Sequence, residues 1–271
     1  MVGSNENRPV LRTEGKRQKN VIACLRSPHR TSNSVPNNVC SVFMVSLSRG
    51  YCVKRHVHSA YRAEGLYCPC AMSKSVAVFL AQGTEEMEFS ITYDVLVRGE
   101  VKVTSVYVPA DGQPSSPPDG YVVASRGVKI VPDTTLEAMM AQGGLAPYDG
   151  VVVPGGAGGA EIISKNAAVQ KLLQEAMSQG KIVGMICAGS LAALEAQIGL
   201  GGAITSHPSV AEKLQASYDY KEQAVATANN LVTSRGPGTT FPFALTLVEK
   251  LVGADVRKKI APPMMLAQEH L

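Results

Sequence analysis

The pattern of apolar and polar positions changes character near residue 72. Beyond it, short apolar runs alternate with segments of helical period, whereas before it no period is sustained. The first run, Ser75 to Ala81 (SVAVFLA), is apolar after its first residue and reads as a strand buried on both faces. Gly83 and Thr84 then open a helix with Glu85, Glu86 and Glu88 in its first turns, where carboxylates meet the positive end of the helix dipole. That helix runs to about Arg98, and Gly99 ends it. Val101 to Val108 alternates as a second strand. Residues 109–120 (PADGQPSSPPDG) are a turn or short insertion. Tyr121–Ala124 and Val128–Val131 predict a hairpin around Ser125-Arg126-Gly127. Asp133 or Thr134 caps a helix reaching about Gln142.

The alternation continues. The strand Gly150 to Val153 leads into Pro154-Gly155-Gly156-Ala157-Gly158-Gly159. A helix over Ala160 to Gln179 follows, broken near Ser164. Ile182 to Ile186 is again a buried strand, and after Cys187-Ala188-Gly189-Ser190 comes a helix-favouring segment, Leu191 to Ala196. Ala203–Thr205 is a short strand ending at Ser206-His207-Pro208, and Ser209–Ala216 is helical. Val225–Thr227 and Leu231–Thr233 form a hairpin turning at Asn229-Asn230. Residues 234–240 open an amphipathic helix, Phe241 to Val252, and the tail from Asp255 begins as helix. This order predicts an α/β fold with a mostly parallel sheet covered on both faces. Ligands in such folds bind beyond the carboxyl ends of the strands. Glu88, Gly155-Gly156, Cys187 and His207 each follow a strand.

Composition adds limits. With 45% hydrophobic residues, 5% aromatics and no Trp, the core must be aliphatic. The net charge of +4 hides two parts: residues 1–72 hold 11 Lys+Arg and 3 Asp+Glu, residues 73–271 hold 15 and 19. The acidic balance of the second part argues against sequence-specific nucleic-acid binding. No apolar run approaches the ~18 residues of a membrane span. Five cysteines lie before residue 73 and only Cys187 beyond. Residues 73–271 therefore cannot form an internal disulfide, which fits a reducing compartment such as the cytoplasm. The expected organisation is an extension over 1–72 and an α/β domain over 73–271. Three readings of the extension stay open: a mitochondrial-type transit segment, a disordered tail, or sequence upstream of a natural start at Met72. Cys68-Pro69-Cys70 is too isolated for a zinc site.

Cys187 sits where a strand turns into a helix, so its sulfur would face free backbone N–H groups and the positive end of a dipole, both of which lower a thiol's pKa. The alternative is an inert buried cysteine. Gly155-Gly156 lacks the Lys-Ser/Thr of a phosphate loop and reads as a close-approach loop whose N–H groups face Cys187, or as a plain glycine turn. Glu88, if buried beside sulfur, would stay protonated and donate to it; otherwise it is an exposed, dipole-favoured carboxylate. His207 suits a general acid or base, or a helix cap.

The segments AQGTEEMEFSI, YDGVVVPGGAGGAE, ICAGS, TSHPS and TSRGPGTTFPFAL, in order over nearly all of 73–271, resemble the DJ-one group of the DJ-one/ThiJ/PfpI superfamily. The resemblance implies a flavodoxin-like three-layer sandwich and a homodimer. It implies a nucleophile-elbow cysteine at Cys187, a protonated glutamate at Glu88, a histidine at His207 and a glycine pair at Gly155 and Gly156. Arg126 is expected near the partner subunit's site. No cofactor or metal is implied. The implied activities are glutathione-independent glyoxalase, deglycation of methylglyoxal- or glyoxal-adducted proteins and nucleotides, redox-sensitive chaperoning and peroxide sensing, in cytoplasm, mitochondrion or nucleus. In the expected reaction the Cys187 thiolate attacks the carbonyl, the amides of Gly156 and Ala188 hold the oxyanion and Glu88 shuttles a proton. The chain departs from the family pattern at Ser190, where proline is frequent, which adds a donor near the elbow. It also departs at Ala124 and Val131, where some relatives carry cysteines.

Overall fold

The computed structural model describes residues 73–267. The readings placed on residues 1–72, Cys68-Pro69-Cys70 among them, lie outside the described residues. In chain order the elements begin with β1 (Ser75–Leu80), α1 (Glu86–Arg98), β2 (Lys102–Tyr107), β3 (Val122–Val123), β4 (Lys129–Ile130), β5 (Thr134–Thr135) and α2 (Leu136–Ala141). Then come β6 (Gly150–Val153), α3 (Ala157–Lys165), α4 (Ala167–Ser178), β7 (Ile182–Ile186) and α5 (Leu191–Glu195). The last part holds β8 (Ala203–Ile204), α6 (Ala211–Gln215), β9 (Asp219–Tyr220), β10 (Val225–Ala228), β11 (Leu231–Ser234), α7 (Thr240–Val252) and α8 (Ala254–Ile260).

The central sheet has seven strands in the order β10-β11-β7-β6-β1-β2-β5. All neighbours are parallel except the β10–β11 hairpin. The pairings Val78 with Val152, Val153 with Met185 and Ile186 with Ser234 bring the carboxyl ends of β1, β6, β7 and β11 to one edge.

Side chains alternate across the pleat, so each buried strand feeds both layers. Ala77, Phe79, Val151, Val153, Val183 and Met185 pack with Leu136, Ile163, Leu172 and Ala192 of α2 to α5. Val76, Val78, Leu80, Val152, Ile186 and Val232 pack with Phe89 and Leu96 of α1 and Phe243 and Leu247 of α7. The result is a three-layer, flavodoxin-like α/β/α sandwich. Among the described residues no helix is long and apolar enough to cross a membrane.

Several elements differ from the sequence expectation. Asp133 and Thr134 do not cap a helix. The Asp133 carboxylate accepts from the N–H and hydroxyl of Ser105, both at 2.8 Å, and Thr134–Thr135 pairs with Val106–Tyr107 as an edge strand. The cap passes to Thr135, whose hydroxyl accepts from the Ala138 N–H at 3.1 Å. The break expected near Ser164 in the helix of 160–179 is present and falls at Asn166, whose φ of −71° and ψ of 115° leave the helical region. Its Oδ1 accepts from the N–H groups of Ala168 and Val169 and so starts α4. β8 lies outside the main sheet and pairs with β9.

Candidate active site

β7 ends at Ile186 in extended conformation, and the next residue, Cys187, has φ +61°. A non-glycine residue pays about 1–3 kcal/mol to sit there, and only surrounding structure can hold it. Gly189 is part of that restraint. A Cβ on it would lie 2.6 Å from the carbonyl oxygens of both Val153 and Pro154, so the turn Cys187–Ser190 rests directly on the end of β6. The chain then runs into α5. Cys187 is half-buried and is a free thiol.

α1 delivers the carboxyl partner. Glu85 caps the helix, its carboxylate accepting the Glu88 N–H at 2.7 Å. Glu88 itself is fully buried. Its Oε2 accepts from the Gly155 N–H at 2.7 Å, and its carboxyl hydrogen-bonds the Cys187 thiol. Among the described residues Oε1 is buried with no hydrogen-bond partner. A Cβ on Gly155 would lie 2.5 Å from Glu88 Oε2 and 2.6 Å from the Cys187 Cβ, which is why no side chain fits between the two groups. Gly156, at φ +82°, is packed against the Gly83 carbonyl and the Glu85 amide.

Burial lifts Glu88 to about 7, against the downward pull of its bonds to Cys187 and Gly155 and with a further push from the Glu85 charge. Burial also pushes Cys187 up, to about 12, with the charge and hydrogen bond of Glu88 adding to it, while the N–H groups of Ala188 and Gly156 pull it down. The expected donors therefore do face the sulfur, but burial and an ionised Glu88 outweigh them, which corrects the expectation of a thiol lowered by its turn alone. A proton on Glu88 removes the opposing charge. The two groups titrate as a unit that gives up its first proton near neutrality and its second only in strong base.

The structure thus brings together Cys187, Glu88, Gly155, Gly156 and Ala188. The glycine pair divides its work: the Gly155 amide holds the carboxyl and the Gly156 amide the sulfur. His207 is exposed and hydrogen-bonds Ser209 rather than Cys187 or Glu88. A Cβ on Gly236 would stand 3.7 Å from its Cδ2, which places the ring beside the turn between β11 and α7. Arg126 is exposed at the β3–β4 hairpin. Its N–H and the Ser125 hydroxyl each donate to the Glu86 carboxylate at 2.7 Å, and its guanidinium donates to the Ser125 carbonyl at 3.2 Å. Burial alone would raise Glu86, but the Ser125 hydroxyl and the N–H groups of Glu86, Arg126 and Val128 overcome it and hold the carboxyl below its ordinary range. Ser190 is a donor at the elbow, as expected, and its acceptor is not the sulfur. Its buried hydroxyl donates to the Thr205 carbonyl at 2.9 Å and ties the elbow to the loop that carries His207.

Sequence reasoning missed the tasks of Glu85, Glu86 and Ser209. The Glu85 cap had a signal: it stands three residues before Glu88, the spacing of a side chain that caps the third helical amide. Among the described residues no group of three or more His, Cys, Asp or Glu side chains could hold a metal.

A buried carboxyl set against a thiol on a strained strand-to-helix turn, at the carboxyl edge of a parallel sheet, defines the class of α/β nucleophile-elbow cysteine proteins. Within it, the chain belongs to the DJ-1/PfpI family, whose model matches residues 74–250. It is 41% identical over 211 residues to Protein DJ-1alpha of Drosophila melanogaster, covering 78% of this chain and 91% of that protein. It is 36% identical over 183 residues to Glutathione-independent glyoxalase DJ-1 of Schizosaccharomyces pombe, covering 66% and 92%. The crystal structure of Drosophila melanogaster DJ-1beta superposes with a TM-score of 0.65 at 37% identity, over 72% of this chain and all of that one.

Proposed function

We propose that this chain is a cofactor-independent glyoxalase and deglycase acting on α-oxoaldehydes such as methylglyoxal and on their adducts with protein or nucleotide amines. The carrying observation is the Glu88 carboxyl, buried between the Gly155 amide and the Cys187 thiol and raised to about 7. Such a group can give and take a proton at neutral pH. The glyoxalase name of the fission-yeast relative supports the same reaction.

In this reading the Cys187 thiolate adds to the aldehyde carbon. The carbonyl electron pair becomes an alkoxide, which takes the Glu88 proton beside the amides of Gly156 and Ala188. Glu88, now ionised, removes the hydrogen on the first carbon and returns it to the second. The hydroxyl proton passes from the first oxygen to the second, leaving a 2-hydroxyacyl thioester. Water hydrolyses that ester, releasing the 2-hydroxy acid and restoring the thiol. With a hemiaminal adduct, the C–S bond forms as the C–N bond breaks and the amine leaves with the Glu88 proton. His207 assists at the substrate oxygen.

The proposal extends to a homodimer that presents Arg126 to the partner subunit's site. Exposed apolar side chains support it: Met87 and Val97 on α1, and Val123, Val128 and Val131 on or beside the hairpin that carries Arg126. A reducing compartment, cytoplasm, mitochondrion or nucleus, suits a reactive thiol.

A second reading is a peroxide sensor and redox-sensitive chaperone. A half-buried thiol beside a protonated carboxyl favours it, because two equivalents of peroxide would yield a sulfinate that Glu88 and the Gly156 and Ala188 amides can hold. The deciding assay is conversion of methylglyoxal to lactate by the full chain. The glyoxalase reading expects Cys187→Ser to abolish turnover, and full turnover by that variant rejects it. If peroxide leaves the intact mass unchanged, the sensor reading fails.

A further inference from the structure

The loop between β8 and α6 holds a histidine whose chemistry is set by one neighbour. His207 Nδ1 lies 2.8 Å from the Ser209 hydroxyl and 3.2 Å from the Ser209 main-chain nitrogen. A hydroxyl can give or take a hydrogen bond, but a main-chain N–H can only give one. With that N–H aimed at it, Nδ1 of the neutral ring must be the acceptor. The ring proton therefore sits on Nε2.

The remainder of the loop is fixed independently. The Ser190 hydroxyl donates to the Thr205 carbonyl, and the Thr205 N–H donates to the Thr233 hydroxyl at 2.9 Å, both within the buried interior. The Cδ2 edge of the ring, which adjoins Nε2, faces Gly236. That glycine stands two residues after Ser234, which is paired with Ile186, the residue before Cys187. The Cδ2 edge of the ring thus lies beside the turn that leaves β11, the strand paired with the end of β7.

We propose that Ser209 is a positioning residue that fixes His207 as the Nε2–H tautomer, so that His207 donates a hydrogen bond to the substrate oxygen and does not act as the base that takes the Cys187 proton. This rests on the reading of Cys187 as the nucleophile. Proton transfer at sulfur is then left to Glu88, and His207 and Glu88 have separate tasks.

The test uses the full chain labelled with 15N-histidine, at about pH 8.5, roughly two units above the ordinary imidazole range. The His207 resonances are assigned by their loss in His207→Gln. Two-bond 15N–1H correlation is expected to show an unprotonated Nδ1 and a protonated Nε2. A protonated Nδ1 overturns the proposal. Ser209→Ala keeps the main-chain N–H and is expected to leave the Nε2–H tautomer dominant, whereas Ser209→Pro removes that N–H and is expected to make the second tautomer detectable; an unchanged spectrum in Ser209→Pro overturns the positioning role of Ser209.

Turnover supplies the other arm. A glutamine amide can stand where Nε2–H stands, so His207→Gln is expected to stay within about tenfold of the parent. His207→Ala is expected to lose on the order of a hundredfold, the cost of a lost oxyanion donor. Equal losses in the two variants overturn the donor role. Full turnover by Cys187→Ser would instead reject the enzymatic reading, while the tautomer result would stand by itself.

Discussion

Two atoms of oxygen in Glu88 carry opposite burdens. Oε2 is held by the Gly155 amide, and Oε1 is buried with no main-chain or hydroxyl donor. An anion is costly in such a place, so the folded protein holds the proton up to about pH 7, where a free glutamate loses it near 4.5. The folded state therefore binds more protons than the unfolded chain between those values. Glu88's own contribution to stability should be greatest below pH 4.5 and fall by about 1.4 kcal/mol per unit up to pH 7, and the raised Cys187 thiol should cost stability again in base. Urea unfolding of the parent and of Glu88→Gln across this range tests the point: the difference between the two stabilities should carry the slope, and a difference independent of pH would contradict it. Alkylation of Cys187 has a related expectation. Its rate should rise with an inflection near pH 7, set by the shared proton, and that inflection should be absent in Glu88→Gln. Gly155→Ala is predicted to be worse than its size suggests. Its methyl group would overlap the carboxyl and the cysteine together, costing about 1–3 kcal/mol of stability and removing most Cys187-dependent turnover. A variant with the parent's melting temperature and turnover would contradict this packing.

At the scale of elements, the site is built by ends rather than by middles. β7 supplies Cys187, the start of α1 supplies Glu88, and the turn from β6 into α3 supplies the glycine amides. The helices behind that edge are anchored by caps. Asn166→Ala should cost about 1 kcal/mol, because it removes the acceptor for two amides at the start of α4. Cys187 reactivity should be unchanged, since α4 contributes no group to the site. A Tm shift without an activity change is the expected pair of results. Cys187 shows the reverse economy: its φ of +61° is a local cost, held in place by the contact of Gly189 with the end of β6. The β3–β4 hairpin is anchored in turn by Glu86, whose carboxylate receives Ser125 and the Arg126 amide. Glu86→Gln should loosen that hairpin, which faster amide hydrogen exchange at residues 124–128 would reveal, while Glu88 keeps its titration near 7.

The whole molecule adds the question of a second copy. Among the described residues the Arg126 guanidinium reaches only the Ser125 carbonyl and makes no bond to Cys187 or Glu88. If it serves the partner's site, mixing inactive Cys187→Ser chains with Arg126→Ala chains should restore turnover in one of the two sites of the mixed dimer. Sedimentation of the full chain must then show a dimer. Complementation at no more than background would remove Arg126 from the reaction.

Much of this was written in the order of residues. Apolar runs of strand length alternating with helical segments determined a parallel α/β sheet, because a strand buried on both faces leaves no polar positions to misread. The cysteine between Ile186 and Ala188 and the glycines after Val153 marked the carboxyl edge for the same reason, and the resemblance of five ordered segments named the family. What sequence did not determine depends on neighbours distant along the chain. Asp133 looked like a helix cap but bonds Ser105, because β2 offered it two donors first. Ser190 was legible as a donor near the elbow but not its acceptor, the Thr205 carbonyl, which only the packed elbow brings to its hydroxyl. The thiol's pKa was legible only in part. The Ala188 donor follows from a local turn, but the Gly156 donor, the burial and the carboxyl that opposes them exist only once α1, β6 and β7 share an edge.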